Sequence, residues 1–254
     1  MVRLIDSHAH LEDIRDLKNS LQRASEAGVA AIIAVGSNHD SNRFVLEVSS
    51  RSWGDLKVYP ALGVHPWEIS RGQVEEAVAF IKEKVNRAVG IGEVGLDYWY
   101  REVRENPEMM AKQRSLFRTF LKIAKRHDKP VIIHSRGAWN DCLNLVIEED
   151  VKDAVFHWFT GPDNTLQRLL DHGYYVSATP AAEYSREHRR VIQKTPIENL
   201  LLETDSPVNY RGFEAEPADI IRSLHAVAKL KGISIEAVAE ETSENASSLF
   251  NIDI

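Results

Sequence analysis

Eight short apolar runs punctuate the chain: VRLID (2–6), VAAIIAVG (29–36), VYPALGV (58–64), AVGIGEV (88–94), PVIIHS (130–135), DAVFHW (153–158), YYVSA (174–178) and LLLETD (200–205). Most lack a strict alternation of apolar and polar positions, which suits parallel strands buried on both faces. Amphipathic segments with helical spacing lie between them. In 107–128, Met110, Gln113, Phe117, Leu121 and Ala124 share a stripe opposite Lys and Arg. Pro107 opens that segment and Lys125, Arg126 and His127 close it, in keeping with helix polarity. The segment 16–28 ends on Gly28, a residue suited to stopping a helix. The segment 216–232 also ends on glycine, and a further helical pattern covers 234–250.

Eight strands alternating with helices predict an α/β fold, a (β/α)₈ barrel, with an open doubly wound sheet as the alternative. The 254 residues match the ordinary size of one such barrel, about 250. No repeat, low-complexity tract or flexible linker interrupts them, so a single domain over 1–254 is expected. The formal net charge of −7 argues against a broad basic face for nucleic acid; any such contact must come from a local patch or a bound cation. The single cysteine, Cys142, rules out an internal disulfide and a cysteine-cluster zinc site. MVRLIDSHAH lacks the pattern of a signal peptide, and VAAIIAV is far too short to span a bilayer. A cytoplasmic protein with no membrane partner and no obligate protein partner is therefore expected.

The runs end in polar chemistry. The first ends in Asp6, His8 and His10, the third in His65, the fourth in Glu93 and Asp97. The fifth ends in His134 and Arg136, the sixth in His157, the eighth in Glu203 and Asp205; the second and seventh supply no His, Asp or Glu there. In a barrel these positions converge on the C-terminal face, where active sites form. Each has an ordinary structural explanation singly: a capped loop, a satisfied core histidine, a turn. Together they would require several buried strands to end in ionisable groups by accident, and buried ionisable groups must be paired or bind metal. His8 and His10, two apart on a strand, point the same way. Four histidines and two carboxylates have the composition of a two-metal hydrolase site.

The motifs DSHAHL, GVHP, IGEVGLDY, PVIIHSR, FHWFTG, LLLETDSP, EPADI and NASSLF run in order from residue 6 to 250. In this the chain resembles the TatD family of metal-dependent deoxyribonucleases, among the amidohydrolase-like barrels. The resemblance implies a (β/α)₈ fold and metal-dependent phosphodiester hydrolysis, commonly from 3′ to 5′ on DNA. It implies that His8 and His10 bind one metal, that Glu93 bridges two, and that His134 and His157 hold the second. Asp205 would complete the first site and orient or deprotonate the water. Trp158, where the family usually has a smaller residue, and the loop in YYVSATPAAEYS depart from the family pattern and bear on substrate choice.

Mixed nitrogen and oxygen ligands fit two divalent ions drawn from Zn, Mn, Fe or Ni, with Mg also usable. His65 and Arg136 are assigned to the substrate phosphate, His65 with a catalytic role beside Asp205. Arg211 is a further substrate contact. For Arg136 a structural salt bridge with Glu203 or Asp97 is the alternative. Trp67, Tyr98, Trp99, Trp158 and Tyr210 could offer a stacking surface for an unpaired base, or could simply pack loops. The substrate expected is a DNA end, preferably single-stranded or frayed. Alternatives are an amide or ester hydrolase, aminoacyl-tRNA deacylation included, and a metal-bound nucleic-acid binding module without turnover.

Overall fold

A computed structural model describes residues 3–70 and 72–254; Val2, which opens the first apolar run, lies outside them. All eight runs form strands: β1 (Leu4–Ala9), β2 (Val29–Val35), β3 (Lys57–Leu62), β4 (Gly90–Gly95), β5 (Val131–His134), β6 (Ala154–Phe156), β7 (Tyr175–Ala178) and β8 (Leu200–Leu202). Each pairs in parallel with the next. The helices are α1 (Leu17–Glu26), α2 (His39–Ser49), α3 (Val74–Lys84), α4 (Arg101–Arg104), α5 (Pro107–His127), α6 (Trp139–Glu148), α7 (Asp163–Asp171), α8 (Arg186–Lys194), α9 (Ile220–Lys231) and α10 (Ile235–Phe250). None among the described residues is long and apolar enough to cross a membrane.

The sheet curls into a barrel because β1 meets the segment after β8. Ala9 bridges Ser206. The Asp205 N–H donates to the His8 carbonyl at 3.0 Å, and the His10 N–H to the Ser206 carbonyl at 2.8 Å. The buried Asp6 carboxylate staples the same seam, accepting from the Thr204 N–H at 2.9 Å and the Thr204 hydroxyl at 2.6 Å. An open sheet would leave these groups unpaired in the interior, which costs more than their bonds return.

Neighbouring strand residues face different cores. Ile5, Ile33 and Val155 belong to the cluster inside the barrel, whereas Leu4, Ile32 and Phe156 pack outward under the helices. Both neighbours are therefore apolar, which is why the runs do not alternate. Leu249, Phe250 and Ile252 join the inner cluster from the C-terminal end of the chain.

Helix boundaries follow local chemistry. Asn106 caps α5 by accepting from the Glu108 and Met109 N–H groups, Pro107 occupies the first turn, and Asp128 ends it in the left-handed region. The segment 216–232 is helical only from Ile220; a 3-10 turn over Pro217–Asp219 precedes it.

Two strands break register where the site will form. On β1, Asp6 pairs with Ile32 but Ala9 with Ala34; on β4, Ile91 pairs with Val131 but Val94 with Ile133. Three residues thus advance against two. The extra residue is a bulge that re-aims the side chains around it, and these bulges hold His8 and Glu93. Gly95 completes the constraint on β4. Its φ is +149°, and a Cβ there would lie 1.9 Å from the His134 carbonyl oxygen, so only glycine lets β4 lie this close to β5.

His188 on α8 is fully buried and ties two loops together: its Nε2 accepts from the Thr179 N–H at 3.1 Å and its Nδ1 donates to the Phe159 carbonyl at 3.3 Å. Burial lowers its pKa from 6.5 to about 4. The folded imidazole stays neutral while the unfolded chain takes up a proton, so its contribution is complete above pH 6.5 and is lost as pH falls toward 4. The loss is about 3 kcal/mol. The stability advantage of the wild type over His188→Gln, measured by denaturant unfolding, should shrink by about that amount across this window. A pH-independent difference would contradict a neutral buried imidazole.

Candidate metal centre

The C-terminal ends of the strands converge on Glu93, which is 2% exposed. Its two oxygens face different partners. Oε2 lies 3.3 Å from His10 Nε2 and 3.5 Å from His8 Nε2. Oε1 lies 2.9 Å from His134 Nδ1, 3.0 Å from His157 Nε2 and 3.7 Å from His65 Nε2.

The first set has the spacing of a ligand shell. Four ligands about 2.1 Å from one cation in a tetrahedron lie about 3.4 Å from one another. His8 Nε2 and His10 Nε2 are 3.3 Å apart, and Asp205 Oδ1 is 3.5 Å and 3.6 Å from them. With the two Glu93 distances, five edges of one such tetrahedron fall between 3.3 and 3.6 Å. On the other side Glu93, His134 and His157 converge. His65 stands with Glu93 and His134, all within reach of one ion. Its tautomer argues against ligation: His65 Nδ1 accepts the Trp67 N–H at 3.2 Å, so Nε2 carries the proton and is a donor.

Carboxylates stand behind the other imidazoles. Asp97 Oδ2 accepts from His134 Nε2 at 2.9 Å, and Glu203 Oε1 from His157 Nδ1 at 3.3 Å. Glu12 lies 3.8 Å from His10 Nδ1. This arrangement orients metal-binding imidazoles and raises their basicity. His8 Nδ1 is buried without a hydrogen-bond partner.

The titrations follow the same map. Burial pushes the pKa of Glu93 up, but the imidazoles of His65, His157 and His8 outweigh it and hold Glu93 well below the usual carboxylate range. Burial likewise works against charged His157 and His10, yet Glu93 and Glu203 raise the first, and Glu12 and Glu93 the second, well above 6.5. Asp97 and Glu93 raise His134 against its burial. Burial wins at His65, which lies well below 6.5, and at Asp205, whose carboxyl is raised.

The site opens into a groove of about 1010 Å³. Arg136 lines it but makes neither ion pair considered from the sequence. Its guanidinium lies over Trp99 at 4.9 Å and Tyr100 at 5.5 Å, while Asp97 accepts from His134, Trp67 and Trp99 and Glu203 from His157 and Trp158. Arg211 sits in the turn of a small hairpin, at φ +49° beside Gly212 at +104°. It does not line the groove; it covers Tyr184, which does. Tyr98 and Tyr210 are buried, so their rings pack rather than face a ligand. Trp158 lies partly buried against Tyr210, with its N–H held by Glu203 and Ser177.

Sequence reasoning gave no supporting role to Glu12, Asp97 and Glu203, although each lies near one of the clustered histidines in the tertiary structure. It also missed Gln113, read only as part of a helix stripe, whose side-chain carbonyl accepts the Asp97 N–H at 2.9 Å. The second and seventh strand ends do reach the groove, through Ser37 and Asn38 and through Ala181, Tyr184 and Ser185.

The family model described as TatD related DNase matches residues 5–251. A human protein named deoxyribonuclease TATDN3 is 32% identical over 263 residues, covering 98% of this chain and 95% of that protein. An Escherichia coli K12 protein described as the uncharacterized metal-dependent hydrolase YcfH is 32% identical, covering 98% and 96%. The crystal structure of YJJV, a TatD homologue from E. coli K12, superposes with a TM-score of 0.88 at 28% identity over 99% of both chains.

Removing the shared carboxylate should disturb both halves of the centre. Glu93→Ala is expected to fold, by circular dichroism, yet to bind less metal at both positions and turn over at no measurable rate. His134→Ala should lose one equivalent. His65→Ala should keep full stoichiometry by elemental analysis while losing rate. Metal loss in His65→Ala would place its Nε2 among the ligands.

Proposed function

This chain belongs to the family of TatD-related DNases, and from that premise we propose that it is a divalent-metal-dependent phosphodiesterase acting at the 3′ ends of single-stranded or frayed DNA. The observation that carries the reading is the division of Glu93, one oxygen toward His8 and His10 and the other toward His134 and His157. His8, His10, Glu93 and Asp205 would hold one cation, and Glu93, His134 and His157 a second. Bound there, two divalent cations supply acidity to the attacking water and neutralise phosphate oxygens.

The chain's own groups do the rest. Asp205, whose Oδ1 is within 3.6 Å of both His8 and His10, would complete the first site, and its carboxylate would orient or deprotonate the attacking water. His65, neutral with its proton on Nε2, donates to a non-bridging phosphate oxygen. Arg136, exposed at the mouth, supplies a cationic fork for the adjoining phosphate, and Arg211 a more distant contact. Asp97, Glu203 and Gln113 touch no substrate; they hold His134, His157 and the β4 loop in place.

End-labelled linear single-stranded, duplex and circular single-stranded DNA decide the matter. With manganese or magnesium restored, label should leave the 3′ end of the linear strand fastest, the circle should survive, and a chelator should stop the reaction. Rapid cutting of the circle would rule out end-dependent action. Turnover of an ester or amide with every DNA untouched would favour hydrolysis at carbonyl carbon instead.

A further inference from the structure

Large apolar side chains seldom stay exposed in a cluster without a ligand to cover them. Among the described residues Trp67 is 40% exposed, Trp99 53% and Tyr100 39%, and the three gather at one edge of the groove. Trp67 meets Tyr100 edge-on at 5.7 Å, and Arg136 lies over both Trp99 and Tyr100. The wall is held in register with the metal centre by one carboxylate. Asp97 Oδ2 accepts from Trp67 Nε1 at 2.8 Å and from His134 Nε2 at 2.9 Å, and Asp97 Oδ1 accepts the Trp99 N–H at 2.9 Å. Among the described residues, Asp13 and Glu187 add negative charge to the groove lining outside the centre.

We propose that Trp67, Trp99 and Tyr100 form a stacking subsite for the unpaired base of the terminal nucleotide, with Arg136 on its phosphate, so that the end of a strand rather than its length sets affinity. The proposal rests on the phosphodiesterase reading above. A planar base beside a phosphate is what exposed aromatic side chains next to a guanidinium recognise, and stacking of this kind tolerates any base. Among the described residues the groove lining offers carboxylates rather than a cationic track to a longer strand, so added length brings little added affinity.

The test uses the full-length, manganese-loaded protein and thymidylate oligomers with either a natural or an abasic 3′-terminal residue. The abasic end should raise KM about tenfold with kcat nearly unchanged. Trp99→Ala should raise KM for the natural end by a similar factor and add no further loss for the abasic end, while Trp99→Phe restores most of the affinity. From a dinucleotide to a long strand, kcat/KM should stay nearly level. Equal KM for natural and abasic ends, additive losses in Trp99→Ala, or kcat/KM climbing steeply with length would each overturn the proposal. Bis-p-nitrophenyl phosphate, which carries no base, separates the two readings. Its turnover without cleavage of any oligomer sinks the subsite alone; failure on both substrates sinks the phosphodiesterase reading with it.

Discussion

A carboxylate buried as deeply as Glu93 is not stable in charged form unless something positive compensates it. Here imidazole nitrogens from β1 and the residue after it, from β5 and from the segment after β6 supply that compensation. Much of the upper half of the barrel follows from this requirement. The strand ends must meet at one point, the bulge on β4 must turn Glu93 toward them, and further carboxylates must keep the imidazoles from rotating away. Asp97 and Glu203 do so for His134 and His157.

Barrel closure and site assembly are the same event. The seam between β1 and the end of β8 is pinned by Asp6 on Thr204 and by the Asp205 N–H on the His8 carbonyl. These bonds set His8 and Asp205 side by side with their functional atoms 3.5 Å apart. The strand ends and the residues just beyond them therefore carry the charged centre, and the longer loops contribute the rim.

Two histidines of similar burial take opposite roles because of what their far nitrogens touch. His134 has a carboxylate on each side, so it is raised and is ready to exchange the proton facing Glu93 for a cation. His65 accepts a backbone N–H on Nδ1 and stays neutral. The difference is a single hydrogen bond, yet in the proposed function it separates a metal ligand from a donor to substrate.

The eight strands, four of the helices and the converging polar strand ends were legible in the chain, because parallel strands buried on both faces leave uninterrupted apolar runs and helices leave a 3.6-residue stripe. Pro107, Gly28 and the C-terminal glycine at 232 marked helix ends because their backbone preferences are local. What stayed hidden depended on register and on partners far away in sequence. Strict alternation from Ile5 would have turned His8 away from the barrel mouth; the bulge against β2 reverses that, and it exists only once the two strands pair. Arg136 was free to be read as an ion-pair partner until folding gave Asp97 and Glu203 to other donors. Glu12, Asp97, Glu203 and Gln113 looked like ordinary polar residues because their role lies in which histidine or loop they support. Local propensity and burial thus determined the elements from the sequence by itself, while the tertiary structure decided which nitrogen of each imidazole faces the centre, since that choice is made by hydrogen bonds between residues mostly distant along the chain.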